Sequence, residues 1–163
     1  MASTITASTA TVKITETLNL NNKDRGSSTT ASIASIGEII REIKTVLTSG
    51  NDLIQFGTKG AGVMSASDVK YIRITNLDDT NYVDINCGDN ATLGSIEEMF
   101  SIRLTAGQTF MLSGCNFNAM DSGTDTDSAA VDDGELAASA TIANVRAVAD
   151  TASVDVEIFA MAT

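Results

Sequence analysis

The sequence predicts an all-β protein: an antiparallel, jelly-roll-like β-sandwich of eight or nine strands. Three observations carry this. Apolar–polar alternations recur from Val12 to Phe159, broken by turn residues about every 8–12 positions, the spacing of sandwich strands. The chain has no proline and 12 glycines, so its turns fall to Gly, Asn, Asp and Ser, which suits tight connections. Aromatic residues are scarce (Phe 5, Tyr 2, Trp 0), so a core must rest on Ile, Val, Leu, Met and Ala. At 163 residues, an extended N-terminal arm (1–11) and one sandwich domain (12–163) are the simplest organisation.

Each element has a local reason. The arm is rich in Ser, Thr and Ala and has little to bury. From Thr11 to Leu20, Val12, Ile14, Leu18 and Leu20 share one face, as in a half-buried strand, and Asn21 to Ser28 reads as a polar loop. Residues 30–50 read two ways. Ile36, Ile39/Ile40, Ile43 and Val46/Leu47 recur at helical spacing, with Ser35 and Glu38 placed as a capping box and Gly50 as a stop. The abundance of Ile, Thr and Val suits a strand instead, although Ile36, Ile40 and Val46 would then need a bulge to reconcile them with Ile39, Ile43 and Leu47.

Asp52 to Phe56 is a short strand, followed by a glycine-bearing loop from Gly57 to Ala66. Lys70 to Ile85 reads as one β-hairpin. Tyr71, Ile72 and Ile74 form its first strand, Asn76 to Asn81 its turn, and Tyr82, Val83 and Ile85 its second strand. Cys87-Gly88-Asp89-Asn90 is a turn. Met99–Leu104 and Thr109–Leu112 form a second hairpin around Ala106-Gly107-Gln108. Residues 116–135 are a long polar loop. The segments 138–149 and Val154–Phe159 form a third hairpin through Asp150-Thr151-Ala152-Ser153. No fixed-period repeat is present, which excludes a solenoid or propeller reading.

The net charge of −11 is unevenly placed. Residues 1–60 carry six basic and five acidic side chains, whereas 121–163 carry nine acidic side chains against Arg146 alone. Such a chain repels phosphates, so neither nucleic acid nor an anionic membrane is an expected partner. No run approaches the ~18 apolar residues of a membrane helix. Met1-Ala2-Ser3-Thr4-Ile5-Thr6 lacks a basic start and an apolar stretch, so no secretory leader is expected. Cys87 and Cys115 show no metal or redox spacing and are expected to be free, buried thiols of a reducing compartment.

Catalytic equipment is not evident. Histidine is absent, which removes the commonest general base and the usual nucleophile pairs. Gly57-Thr58-Lys59-Gly60-Ala61-Gly62 lacks the spacing of a phosphate loop. Asp121, Asp125, Asp127, Asp132, Asp133 and Glu135 crowd one loop without the order of a calcium loop, so a solvated loop is expected there. Glu97 and Glu98 are adjacent, and neighbouring strand residues face opposite sides, so an edge charge is expected rather than a hydrolytic pair. Lys70, Arg73 and Arg103 are expected to be solvated or salt-bridged, the alternative being contact with an acidic neighbour. The chain is therefore not expected to be an enzyme, and no catalytic, cofactor-binding or metal-binding residue is assigned.

Three segments carry a resemblance. Tyr71-Ile72-Arg73-Ile74-Thr75-Asn76-Leu77-Asp78 with Asn81-Tyr82-Val83, then Phe100-Ser101-Ile102-Arg103-Leu104 with Ala106-Gly107-Gln108-Thr109-Phe110-Met111-Leu112, and last Val154-Asp155-Val156-Glu157-Ile158-Phe159 resemble small β-rich virion proteins of tailed bacteriophages. Capsid decoration and fibre-associated proteins are notable among them. The likeness covers residues 70–163 well and the first 60 loosely. It implies a structural virion protein made in the host cytoplasm, foremost a capsid decoration (cement) protein that binds and stabilises the phage head. Its implied partners are the major capsid protein and neighbouring copies of itself, as a homo-oligomer on the particle. A tail-tube, collar or fibre-attachment subunit is the alternative, and a helix over 35–48 would favour the tail tube. A carbohydrate-binding β-domain is less well matched, since no Trp is available for stacking. The resemblance also implies a strand within 30–50, so mostly extended structure is expected there, with a short helical turn near Gly37–Arg41.

Overall fold

The alternation of apolar residues becomes a two-layer sandwich in the computed structural model, which describes residues 6–57, 63–88, 98–113 and 142–163. Twelve strands occur among these residues: β1 (Ser8–Glu16), β2 (Asn19–Leu20), β3 (Lys23–Asp24), β4 (Ser27–Ile36), β5 (Glu38–Val46), β6 (Asn51–Gln55), β7 (Val69–Asn76), β8 (Val83–Gly88), β9 (Glu98–Leu104), β10 (Thr109–Ser113), β11 (Asn144–Ala149) and β12 (Val154–Ala162). The one helical element among the described residues is a 3-10 turn at Ala66–Asp68.

The last eight strands build the sandwich. One four-stranded sheet has the order β10-β7-β12-β5, the other β6-β11-β8-β9, and every pairing is antiparallel. The first and last of these strands, β5 and β12, lie side by side, and the chain alternates between sheets at nearly every step. This is the double Greek-key order of a jelly roll. The inward side chains alternate as the pleat requires. Ile72 and Ile74 of β7 and Val154, Val156 and Ile158 of β12 face Val83, Ile85 and Cys87 of β8 and Val145 and Ala147 of β11, all buried in one cluster.

Most strands of the sandwich were legible in the sequence, but their partners were not, and the count of twelve among the described residues exceeds the eight or nine expected. The expected hairpin at 70–85 is not a hairpin: β7 lies in one sheet and β8 in the other. The same correction applies to β9 and β10 and to β11 and β12. All three connections are arches that carry the chain across the core. Alternation marks which face of a strand is buried, and both a hairpin and an arch satisfy it. The arches, with the β5–β6 turn, gather at one end of the sandwich. There the Leu77 amide donates to the Asp155 carbonyl (2.9 Å), the Asn76 amide to Gln108 (2.9 Å), Asp150 to Tyr82 (3.2 Å) and Ala149 to Leu47 (3.2 Å).

The N-terminal region also departs from expectation. β1 and β4 pair only with each other, with Val12 opposite Ala31 and Ile14 opposite Thr29. The apolar face of Val12, Ile14, Leu18 and Leu20 is therefore not a core face: Val12 is half-buried, and the other three are exposed. Residues 8–11 of the expected arm are extended but belong to this ribbon. The expected loop at 21–28 contains a tight turn, with Asn21 and Asn22 at φ 52° and 57°, joining β2 to β3. No helical turn forms at Gly37–Arg41. β5 runs there without a bulge against β12, because Ile40 and Val46 face inward while Ile39 and Ile43 face outward. A strand apolar on both faces imitates helical spacing. The 116–135 loop and residues 138–141 lie outside the described residues.

Ile74→Ala should cost about 2–5 kcal/mol, since it opens a cavity between the sheets. Asn76→Ala, although it removes no core hydrocarbon, should cost about 2–4 kcal/mol by stranding buried acceptors. Urea denaturation of both variants measures this, and a loss below about 0.5 kcal/mol for Asn76→Ala would show that the arches do not depend on it.

Candidate functional site

The outer face of the β10-β7-β12-β5 sheet departs from the usual pattern of a sandwich surface. Tyr71, Arg73 and Thr75 of β7 and Asp155, Glu157, Phe159 and Met161 of β12 alternate outward, in register across the sheet. On a sandwich such a face is normally polar. Here one end of it is apolar, and the β1–β4 ribbon lies over that end. Ile33 and Ile36 of β4 bury against Tyr71 and Met161, with Ala10, Val12, Met111 and Phe159 packed around them. The Tyr71 ring meets Phe159 edge-on, at 5.7 Å and 68°. Its hydroxyl donates to the Met111 sulfur at 3.6 Å.

The ribbon leaves the sheet through a sharp bend. Ser35 has φ 62°, and the following Gly37 amide donates to the Ala162 carbonyl (3.0 Å), tying the root of the ribbon to the end of β12. Farther out the ribbon is held by its own ladder. Asp24 Oδ1 accepts from the Gly26 amide (2.8 Å), and a Cβ at Gly26 would collide with the Glu16 carbonyl, so only glycine permits the close turn back into β4. The tip exposes Leu18 (52%) and Leu20 (55%). Its charged side chains are Lys13, Lys23 and Arg25 against Glu16 and Asp24, a slight basic excess on a chain of net −11.

Between β1 and the sheet runs an open groove of about 480 Å³, lined by Val12, Ile14, Tyr71, Arg73, Met111 and Phe159 among others. Its polar end is an ion-pair cluster. Arg73 Nη2 lies 2.7 Å from Glu157 Oε2, and Arg41 Nε lies 3.9 Å from Glu157 Oε1. Arg73 is thus salt-bridged, as its strand position suggested.

The other candidates are dispersed. Arg103 makes a two-pronged bond to Asp84 (2.7 and 2.8 Å) and stacks 3.7 Å over the Tyr82 ring. The bond to Asp84 holds its guanidinium above the ordinary range. A hydrogen bond to Asp150 raises the Tyr82 hydroxyl. Lys70 Nζ reaches the Ser67 carbonyl at 3.4 Å. Asp78 is lowered by the backbone amides of Asn81 and Thr80, so it serves the arch rather than a ligand. Gly57 donates its amide to Met64 (3.1 Å), while residues 58–62 lie outside the described part. Glu97, Cys115 and the acidic residues of 121–135 also lie outside it, and Glu98 opens β9. Among the described residues no three acidic or cysteine side chains could share a metal ion, and no helix is long and apolar enough to cross a membrane.

What these groups offer is contact: an apolar ribbon tip, a groove ending in paired charges, and the outward side chains of β5. The ribbon and the outward Ile39 and Ile43 escaped the sequence reading. Period-two spacing of Ile39, Arg41, Ile43 and Thr45 was the available signal, hidden by the inward Ile40. No family model matches the chain, and no similar curated protein or solved structure was found.

Cys87 supplies a pH test of the core. It lies inward on β8 opposite Phe100, and burial pushes its thiol from the ordinary 9.0 up to about 12. Above about pH 9 the unfolded chain sheds this proton and the folded chain keeps it, so its contribution to stability is full below 9 and is lost as pH rises toward 12. Urea midpoints measured across that window should fall more steeply for the native chain than for Cys87→Ala; parallel slopes would place the thiol in contact with water.

Proposed function

We propose that the chain is a structural virion protein of a tailed phage, a capsid decoration protein that binds the assembled head and stabilises it by burying surface between capsid subunits. The observation that carries this reading is the β1–β4 ribbon: fixed at its root to the sandwich, apolar at its tip and slightly basic on an acidic protein. A monomeric domain has no internal use for Leu18 and Leu20 in solvent, whereas an adhesive subunit does. The phage-like wording of β7, β9–β10 and β12 points the same way. Jelly rolls serve viral shells but also lectins and other proteins, so the fold alone does not decide.

Two competing readings lose support. A tail-tube subunit would favour a helix over 35–48, where β5 lies instead. A carbohydrate-binding domain needs an open aromatic platform, yet Tyr71 is under the ribbon and Tyr82 is under Arg103. In the proposed orientation the ribbon meets the shell, and binding does not depend on the acidic 121–135 segment. Partners are the major capsid protein and neighbouring copies, and several weak contacts on a lattice would add through avidity.

Leu18→Asp combined with Leu20→Asp should strip most of the protein from particles to which it is added back, measured as occupancy after sedimentation, while shortening 121–133 should not. Full occupancy of the ribbon variant, with loss for the shortened one, would reverse the orientation.

A further inference from the structure

We propose that β5 pairs with β5 of a second copy, antiparallel, across a two-fold axis at Ile43. Among the described residues β5 is the last strand of its sheet, and its ladder runs to β12 alone. Its outer face shows Ile39 (66% exposed) and Ile43 (62%), and Leu47 beyond its end is also exposed. No β5 residue belongs to the cluster that the ribbon covers. A long edge strand with exposed isoleucines is a template for strand addition.

The backbone is turned the right way. The Leu77 amide donates to the Asp155 carbonyl, so Asp155 points its polar groups at β7. In an antiparallel ladder Val154 and Val156 then point at β5, where their partners are Val46 and Lys44. The intervening residues Arg41, Ile43 and Thr45 therefore direct their amides and carbonyls away from the sheet. Centring the pair on Ile43 sets these outward groups against one another: Ile43 on Ile43 and Arg41 on Thr45, each able to exchange both bonds. The ladder stops at Leu47, whose amide is taken by Asn51 Oδ1 (2.7 Å) and whose carbonyl is taken by Gly50 and Ala149.

The side chains select this register. With the axis at Ile43, Ile39 meets Leu47 of the second copy and Ile43 meets its equivalent, so all three exposed apolar residues are covered. Glu42 stands opposite Lys44 twice over, which sets the two Lys44–Glu42 pairs of the single copies (3.1 Å each) side by side with opposite charges facing. Moving the axis to Arg41 puts two arginines face to face, and moving it to Thr45 leaves Ile39 uncovered. The two-fold contact is closed, so it joins two sheets into one and does not propagate into a fibre.

Sedimentation of the full chain, over a dilution series through the micromolar range, should show a reversible dimer. Ile43→Lys, an outward substitution that leaves the circular dichroism unchanged, should give a monomer. In a Cys115→Ser background, Ile43→Cys should oxidise to a covalent dimer and Arg41→Cys should not, because only the residue on the axis meets itself. A monomeric native chain overturns the proposal, as does a dimer that survives Ile43→Lys. Cross-linking through Arg41→Cys but not Ile43→Cys overturns the register. A native monomer whose Ile43→Lys form no longer binds particles assigns β5 to the shell instead.

Discussion

Asn76 ends β7 with its side chain at 0% exposure, and the crossing end of the sandwich is assembled around it. Its Nδ2 donates to the Asn81 carbonyl (2.9 Å) and to the Leu104 carbonyl (3.0 Å), and its Oδ1 accepts from the Asp78 amide (2.9 Å). One amide group therefore closes the first arch, begins its turn at Asp78, and joins it to the start of the second. Asn81 extends the network by accepting from the Thr151 hydroxyl (3.0 Å), which brings in the third arch. Chains that leave a sheet expose carbonyls inside the protein, and each must find a donor. Here a single buried amide serves two of them. A hairpin protein has no such need, since its turns lie at the rim of one sheet. The dependence on Asn76 is thus a consequence of the jelly-roll order itself.

That dependence also explains what could be seen in the sequence. Ile72, Ile74, Val83, Ile85, Val154 and Val156 announce strands because β-branched residues at period two fit a half-buried pleat. The Asn76–Asn81 segment announces a turn because its side chains bond their own backbone. Neither signal says whether the next strand pairs with the last one or faces it. Pairing partners are set by non-local contacts, such as Ile158 lying between Ile74 and Glu42, that no window of sequence contains. β5 shows the limit most clearly. Ile39, Ile40, Ile43 and Val46 serve two different surfaces, and a periodicity argument that assigns them to one must choose a helix or a bulge.

The candidate surfaces were less legible than the core for a related reason. Alternation at Val12, Ile14, Leu18 and Leu20 was visible, and burial is its ordinary meaning. The ribbon instead divides the pattern along its length. Val12 packs against the cluster of Ile33, Ile36, Tyr71 and Met161, while Leu18 and Leu20 are exposed to solvent. Only the position of the ribbon across the sheet, set by Ile33 and Ile36 against Tyr71 and Met161, decides where burial ends.

The division has an energetic consequence for the proposed adhesion. A disordered arm that folds on its target loses the conformational freedom of every residue it orders, on the order of 1–2 kcal/mol per residue for the backbone alone. A ribbon already paired along β1 and β4, and pinned at the root by an aromatic and methionine cluster, has met that cost during folding. On the proposed reading, docking would order little more than the side chains at the tip, so a modest apolar contact would suffice. The sheet face under the root is thereby used twice: its apolar end anchors the ribbon, and the charge cluster of Arg41, Glu157 and Arg73 marks where the anchoring stops. Beyond that boundary β5 keeps Ile43 in solvent, outside the ribbon's reach.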